Sequence, residues 1–246
     1  MNISLAAEPV FHIGSFPVTN TLLASWVAMA LLMLIARALS RTMREKPKGI
    51  QNVVEVIVDQ MLKLMDSVTG DRQQSRRFFP IVATIFFFVM TANWLGLLPG
   101  FGTVGLKEVH EGRNILLPFL RSTNSDLNMT LALAVISVIA TQVFGIMLIG
   151  AAKFSRRYFN FGKNPIMTGV GFLELFGEVA KLVSFSFRLF GNVFAGEVLL
   201  VVIASLVPFI APLPFYFLEL FVGFIQAFVF AILTLVFFKV ATIETH

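Results

Sequence analysis

Apolar residues run along this chain in five long stretches, and short segments between them hold most of the charged residues. Three stretches, near residues 19–39, 78–98 and 127–151, have about the 20 residues that an α-helix needs to cross a hydrocarbon core about 30 Å thick. Two more, at 166–207 and 215–241, are longer than an upright crossing requires. The pattern predicts an all-α integral membrane protein with five membrane-crossing helices.

The two longest stretches are also the most unusual. No proline occurs within 166–207, so we expect one continuous helix about 60 Å long there, roughly twice the thickness of the bilayer core. Pro208, Pro212 and Pro214 are expected to break the helix before a second one begins near Phe215. Helices of this length must tilt strongly, bend or run partly along the membrane, and we expect the pair to form a hairpin.

Residues 50–68 follow a different pattern, in which apolar residues recur at helical spacing and polar residues fill the other side. Glu55, Asp59 and Lys63 are among the polar residues. A helix of this kind is amphipathic, so we expect it to lie along the membrane surface or against a partner rather than to span the bilayer. Packing against another part of the same chain is the alternative.

Basic residues lie mainly on one side of the predicted spans: after the first span, before the second and after the third. The positive-inside rule assigns these segments to the cytoplasm. The arm at 1–18 and the loop at 99–126 are therefore expected outside, and the C-terminus inside. Residues 1–246 form a single membrane domain in this interpretation. A bacterial plasma membrane suits the charge pattern best, with a mitochondrial inner membrane as the alternative.

The composition supports a membrane setting and excludes several functions. Hydrophobic residues make up 57% of the chain and charged residues only 13%, whereas soluble domains have roughly 25% charged residues. No cysteine is present for disulfide or thiol chemistry. His12, His110 and His246 lie outside the predicted spans, so a proton relay in the membrane must use carboxylates and water. We expect no metal, cofactor, nucleotide or nucleic acid ligand, because no motif for one occurs.

Arg188 lies within the apolar stretch 166–207, where a permanent charge is expensive. An arginine at the centre of a membrane helix costs about 2.5 to 3.5 kcal/mol on insertion scales, so it indicates a functional site. Its guanidinium does not lose its proton in proteins, and a fixed charge suits a barrier to protons. The alternative is a buried ion pair with Glu219 or Glu197 that only fixes the register of the helices.

Other polar residues of the long helices lie either on the same helix face as Arg188 or on a different face. Helical geometry puts four of them on the face of Arg188: Glu174, Glu178, Lys181 and Asn192. Glu197 points to the opposite side, nearer the outer turn, and on the last helix Glu219 and Gln226 share a face. Two aqueous routes could therefore approach Arg188 from different directions. The structural alternatives are a Glu178–Lys181 ion pair and helix–helix contacts by Asn192 and Gln226.

Three segments carry a resemblance to a known family: RLFGNVFAGE at 188–197, NWLGLLP at 93–99 and LFVGFIQAFVFAILTLVFF at 220–238. They resemble subunit a of the F-type rotary ATP synthase, and the resemblance covers essentially the whole chain. It implies proton translocation through two offset half-channels at a ring of c subunits, which couples a proton gradient to rotation and ATP synthesis. The implied partners are the c-subunit ring, the peripheral-stalk b subunits, the rest of the complex and the lipid bilayer.

The resemblance also implies roles for single residues. Arg188 would face the carboxylate of each passing c subunit. Glu197 and Glu219 would form the outer half-channel. Glu174 would belong to the inner half-channel, and Glu178 is a second candidate for it. Asn192 and Gln226 would be neighbours that orient the arginine or its water. Some family members have a histidine at one of the two outer positions, whereas this chain has glutamate at both. We hypothesise a relay between these two carboxyl groups.

On its own such a subunit is not an enzyme, because ATP chemistry belongs to other parts of the complex. A self-contained proton-coupled secondary transporter is the main alternative, since it would use intramembrane charges for the same reasons. Such transporters usually have paired repeats with two interrupted helices, which this chain lacks. A non-conducting scaffold would explain the spans but not Arg188.

Overall fold

A computed structural model describes residues 7–43, 49–98, 101, 104–110, 113–158, 165–208 and 210–243. These residues contain seven α-helices: α1 Asn20–Thr42, α2 Ile50–Thr69, α3 Arg72–Gly96, α4 Leu127–Ile149, α5 Ala151–Tyr158, α6 Pro165–Leu206 and α7 Pro212–Ala241. They also contain two antiparallel hairpins, formed by β1 Pro9–Ile13 with β2 Phe16–Thr19 and by β3 Gly105–His110 with β4 Arg113–Pro118. A 3-10 turn covers Thr123–Ser125.

Five of these helices are long and apolar enough to cross a membrane: α1, α3, α4, α6 and α7. This confirms the predicted all-α fold with five spans. Helix α6 has 42 residues and is therefore about 60 Å long. The tilt of the long helices and the position of α2 on the membrane surface remain predictions.

Capping residues explain where two helices differ from the predicted bounds. Helix α3 begins at Arg72 rather than near 78, because the Asp71 carboxylate accepts a hydrogen bond from the backbone N–H of Gln73 at 2.9 Å. Helix α4 ends at Ile149 rather than 151, because Gly150 has a φ of 92°, which ends the helix. The short helix α5 that follows was not predicted.

The prolines between the long helices act differently from the prediction. Helix α7 begins at Pro212 rather than near 215, so the expectation that Pro212 and Pro214 lie in the break between the two helices was wrong, whereas Pro208 does lie there. Both residues lie in the first turn of α7, where the backbone N–H groups have no partner within the helix. A proline there loses no hydrogen bond, and its fixed φ favours the start of a helix.

The two hairpins were also not predicted, because the arm and the outer loop read as irregular polar segments. In the first hairpin Ile13 pairs with Phe16, and Gly14 between them has a φ of 65°, as tight hairpin turns require. In the second hairpin His110 pairs with Arg113. The parts of the predicted arm and loop at 1–6, 99–100, 102–103 and 111–112 lie outside the described residues.

The core lies where α3, α4, α6 and α7 pack together, and aromatic rings fill much of it. The ring of Phe78 on α3 packs edge-on against those of Phe144 on α4 and Phe238 on α7, with centroids 4.9 and 5.4 Å away. Helix α2 packs on α3 and α7 near its C-terminal end, where Met65 and Thr69 are buried. This core fixes the position of α6, which carries Arg188.

Candidate functional site

Arg188 lies on the outer surface of the helix bundle. Its neighbours Phe185, Ser186 and Leu189 are buried and turn towards the core, whereas Arg188 is exposed. Among the described residues no carboxylate forms an ion pair with it. The alternative of a register-fixing pair with Glu197 or Glu219 is therefore not what the structure shows.

Glu197 instead pairs with Arg121, which precedes the 3-10 turn. Arg121 Nη2 lies 3.3 Å from Glu197 Oε2, and only 8% of the Arg121 side chain is exposed. The two residues are 76 positions apart, so no local spacing could have predicted the pair. The only signal in the sequence was an arginine placed just before a run of small polar residues, and sequence reasoning gave it no role.

Glu219 reaches the same part of α6 from the other side of the hairpin. Its carboxylate packs on Gly196, so closely that a Cβ atom at this position would overlap it. Gly196 is buried and directly precedes Glu197 in the chain. Glycine is the residue that permits this approach, because any other side chain would occupy the space of the carboxylate. The α6–α7 contact therefore brings both predicted outer carboxylates to one region of the molecule.

Buried polar side chains surround this region on the side of the 3-10 turn. Asn124 Nδ2 donates to Asn93 Oδ1 at 2.7 Å, and Asn93 Nδ2 donates to the backbone oxygen of Gly223 at 2.9 Å. Thr21 Oγ1 donates to Asp126 Oδ2 at 2.8 Å. We call Thr21, Asn93, Asn124 and Asp126 the outer polar cluster. It ties α1, α3 and α7 to the segment that carries Arg121.

Several buried polar atoms near this cluster have no hydrogen-bond partner in the part of the chain that the structure describes: Asn20 Oδ1 and Nδ2, Ser122 Oγ and Asn124 Oδ1. Buried polar atoms are usually satisfied, and ordered water serves those that no protein group reaches. The region beside the Arg121–Glu197 pair is therefore polar enough to hold water, which is a requirement for a path that carries protons.

On the other side of Arg188, Lys181 Nζ donates to Glu178 Oε1 at 2.7 Å and lies 4.7 Å from the ring centroid of Phe237. The ion pair that the sequence offered as a structural alternative is thus present. Glu174 is half-buried one turn before Glu178. These carboxylates lie on α6 away from the Glu197–Glu219 region, so the structure separates the two groups along the helix.

Asn192 and Gln226 are half-buried, on α6 and α7 respectively. Asn192 lies one turn beyond Arg188 on the same helix.

In the described residues no three metal-binding side chains come together. The arrangement consists of a fixed positive charge on a membrane helix with carboxylates on either side of it, which can pass protons through water but offers no nucleophile with an adjacent base.

Comparisons with known proteins show which proteins the chain resembles. The family model described as ATP synthase A chain matches residues 22–239. The chain is 31% identical over 226 residues to ATP synthase subunit a of Moorella thermoacetica, covering 92% of each chain. It is 33% identical over 242 residues to ATP synthase subunit a of Syntrophobacter fumaroxidans, covering 97% of this chain and 91% of the relative. The protein of the same name from Gloeobacter violaceus is 35% identical over 215 residues, or 87% and 80% of the two chains.

Proposed function

The chain belongs to the ATP synthase A chain family, and we propose that it conducts protons through two offset half-channels where it meets a ring of c subunits. Each proton enters one half-channel, rides on a c-subunit carboxyl group as the ring turns, and leaves through the other half-channel. The rotation couples the proton gradient to ATP synthesis elsewhere in the complex. The subunit itself binds no nucleotide and is not an enzyme alone.

The exposure of Arg188 carries the proposal. A permanent charge on the outer surface of a membrane helix faces either lipid or a partner, and exposing a charge to lipid costs free energy. A partner carboxylate about 4 Å away would attract it by about 4 kcal/mol at an effective dielectric constant near 20. A ring that presents one carboxylate after another supplies this compensation repeatedly, and the fixed charge prevents protons from passing directly between the half-channels.

The other polar residues divide between the two half-channels. We assign Glu197 and Glu219 to the outer one and Glu174 and Glu178 to the inner one. The separation of the two groups along α6 supports this division. Asn192 and Gln226 orient the guanidinium of Arg188 or its water: Asn192, Gln226 and Arg188 all lie in the central part of the α6–α7 hairpin.

Orientation and assembly complete the proposal. In the proposed orientation the basic loops face the cytoplasm of a bacterial cell, with the C-terminus on that side of the plasma membrane and the N-terminus outside. The exposed face of α6 meets the c-subunit ring, and the peripheral-stalk b subunits bind elsewhere on the chain. A self-contained transporter would need none of these partners, so only the proposed function requires a small two-helix proteolipid and a soluble ATPase head to co-purify with the chain.

ATP-driven proton pumping tests the proposal in vesicles that carry the whole complex. We expect Arg188→Ala and Arg188→Lys to abolish pumping in assembled complexes, because neither places a forked guanidinium opposite the ring. Arg41→Ala is the matched control, since Arg41 is an exposed arginine at the end of α1. It is expected to pump like the wild type. Normal pumping by both Arg188 variants would refute the proposal.

A further inference from the structure

The Arg121–Glu197 ion pair distinguishes two carboxylates that the sequence treated alike. Glu197 has a guanidinium nitrogen 3.3 Å from its carboxylate, and that guanidinium is held in a buried position before the 3-10 turn. Glu219 has no ion-pair partner among the described residues, and its carboxylate packs on the backbone of α6 at Gly196. Within the described part of the chain, one carboxylate is therefore compensated by a fixed charge and the other is not.

The elements around Glu197 offer few other charges. Helix α4, which packs along α6, carries no charged side chain. The segment at the 3-10 turn carries Arg121 and Asp126, and the Asp126 carboxylate is already engaged by the hydroxyl of Thr21 and the backbone N–H of Asn128. Helix α7 contributes Glu219 at this end, while Lys239 lies at its other end and donates to Gln74. Among the side chains that the structure describes, Arg121 is thus the cation that Glu197 meets.

We propose that Arg121 is a positioning residue of the outer half-channel: it holds Glu197 as a fixed, compensated carboxylate, so that Glu219 is the carboxyl group that binds and releases each proton. The inference rests on the proposed function. The Glu219 carboxylate takes a proton from water on the outer side and gives it to the ionised carboxylate of a c subunit, which regenerates the Glu219 carboxylate. The Glu197 carboxylate stays paired with Arg121 throughout this cycle. The relay that the sequence suggested then has one proton carrier rather than two.

The experiment compares passive proton flux through vesicles of the whole complex after removal of the soluble head, divided by the amount of assembled subunit a. The single variants are Arg121→Met, Arg121→Lys, Glu197→Gln and Glu219→Gln. The two double variants combine Arg121→Met with Glu197→Gln and with Glu219→Gln. Lys63→Gln is the control, because it breaks an exposed ion pair with Asp59 far from this region. Flux in the control is expected to equal that of the wild type.

We expect Arg121→Met and Glu197→Gln each to lower the flux about tenfold, since each breaks the ion pair and changes the charge beside the path. The double variant of Arg121→Met with Glu197→Gln removes both charges and is expected to regain most of the lost flux. Arg121→Lys keeps the positive charge and is expected to conduct better than Arg121→Met. Glu219→Gln is expected to abolish flux, and adding Arg121→Met to it should restore nothing.

Two results would overturn the inference. If Arg121→Met conducts normally per assembled complex and only lowers the amount of complex, the pair stabilises the fold and positions nothing. If Glu219→Gln conducts while Glu197→Gln does not, the roles of the carboxylates are reversed. A failure of the proposed function is a separate result: Arg188→Ala would then pump normally in the same vesicles, whatever Arg121 does.

Discussion

Gly196→Ala places one methyl group where the Glu219 carboxylate now lies. The carboxylate is the end of a flexible side chain, so it can move aside without a shift of either backbone. Overpacking destabilises a rigid core by about 1–3 kcal/mol. We expect a destabilisation at the low end of this range, because the carboxylate can move. Alanine also favours the interior of a helix by about 1 kcal/mol relative to glycine. The two effects oppose each other, and we expect the stability and assembly of the complex to change little.

Proton flux, in contrast, depends on where the carboxylate lies. A displacement of a reacting group by about 1 Å can lower a rate by about 100-fold, so we expect Gly196→Ala to reduce ATP-driven pumping by about 10- to 100-fold. The assay is pumping per assembled complex in vesicles, with the thermal midpoint of the purified complex as the measure of stability.

A second change makes the test specific. Glu219→Asp in the Gly196→Ala background shortens the side chain by one methylene, which frees room for the new methyl group, and we expect part of the lost flux to return. Gly169→Ala is the control, because it lies on the same helix and a Cβ there meets nothing within 4 Å. Pumping by Gly196→Ala at the rate of Gly169→Ala would refute the reasoning that Gly196 exists to admit the Glu219 carboxylate.

Two further predictions concern the elements around the site. Asn93→Ala removes the buried hydrogen bonds to the Gly223 backbone oxygen and the Asn124 side chain, and it should destabilise the complex by about 1–3 kcal/mol; an unchanged thermal midpoint would contradict this. The nearby Ser75 hydroxyl and the ion pair with Arg72 lower the pKa of Asp66. Its folded pKa lies below the unfolded value, so its stabilisation is present above about pH 4 and is lost as the pH falls through the folded pKa. Hydrogen exchange at the α2–α3 junction should show this acid-dependent loss in the wild type and not in Asp66→Asn.

The spans were predictable from sequence because a bilayer imposes a length and a composition on every helix that crosses it. Arg188 was predictable for the same reason, since a charge in an apolar stretch is visible without any structure. The start of α7 was not predicted correctly, because prolines at 212 and 214 were taken as breakers. A proline just before a helix and a proline in its first turn look the same in sequence. Only the backbone of the structure distinguishes the two positions.

Contacts between distant segments account for most of what the sequence did not reveal. Arg121 read as one of a few basic residues in an outer loop, and its partner Glu197 is 76 positions away. The close approach of Glu219 to Gly196 depends on the packing of α6 against α7, which the spacing along either helix does not show. Pattern and spacing identify polar residues of a membrane helix, but tertiary packing decides which of them meet.

The most direct test of the account is the passive proton permeability of vesicles that carry the intact complex without nucleotide, in which the attached head keeps the ring from turning freely, compared between Arg188→Ala and the wild type. Without the fixed charge, the two half-channels are joined at the ring, so we predict that protons leak through the variant while ATP-driven pumping by the intact complex is lost. Arg188→Lys, which keeps a positive charge, should leak less. Vesicles with Arg188→Ala that neither leak nor lose pumping would contradict the claim that Arg188 separates two proton paths.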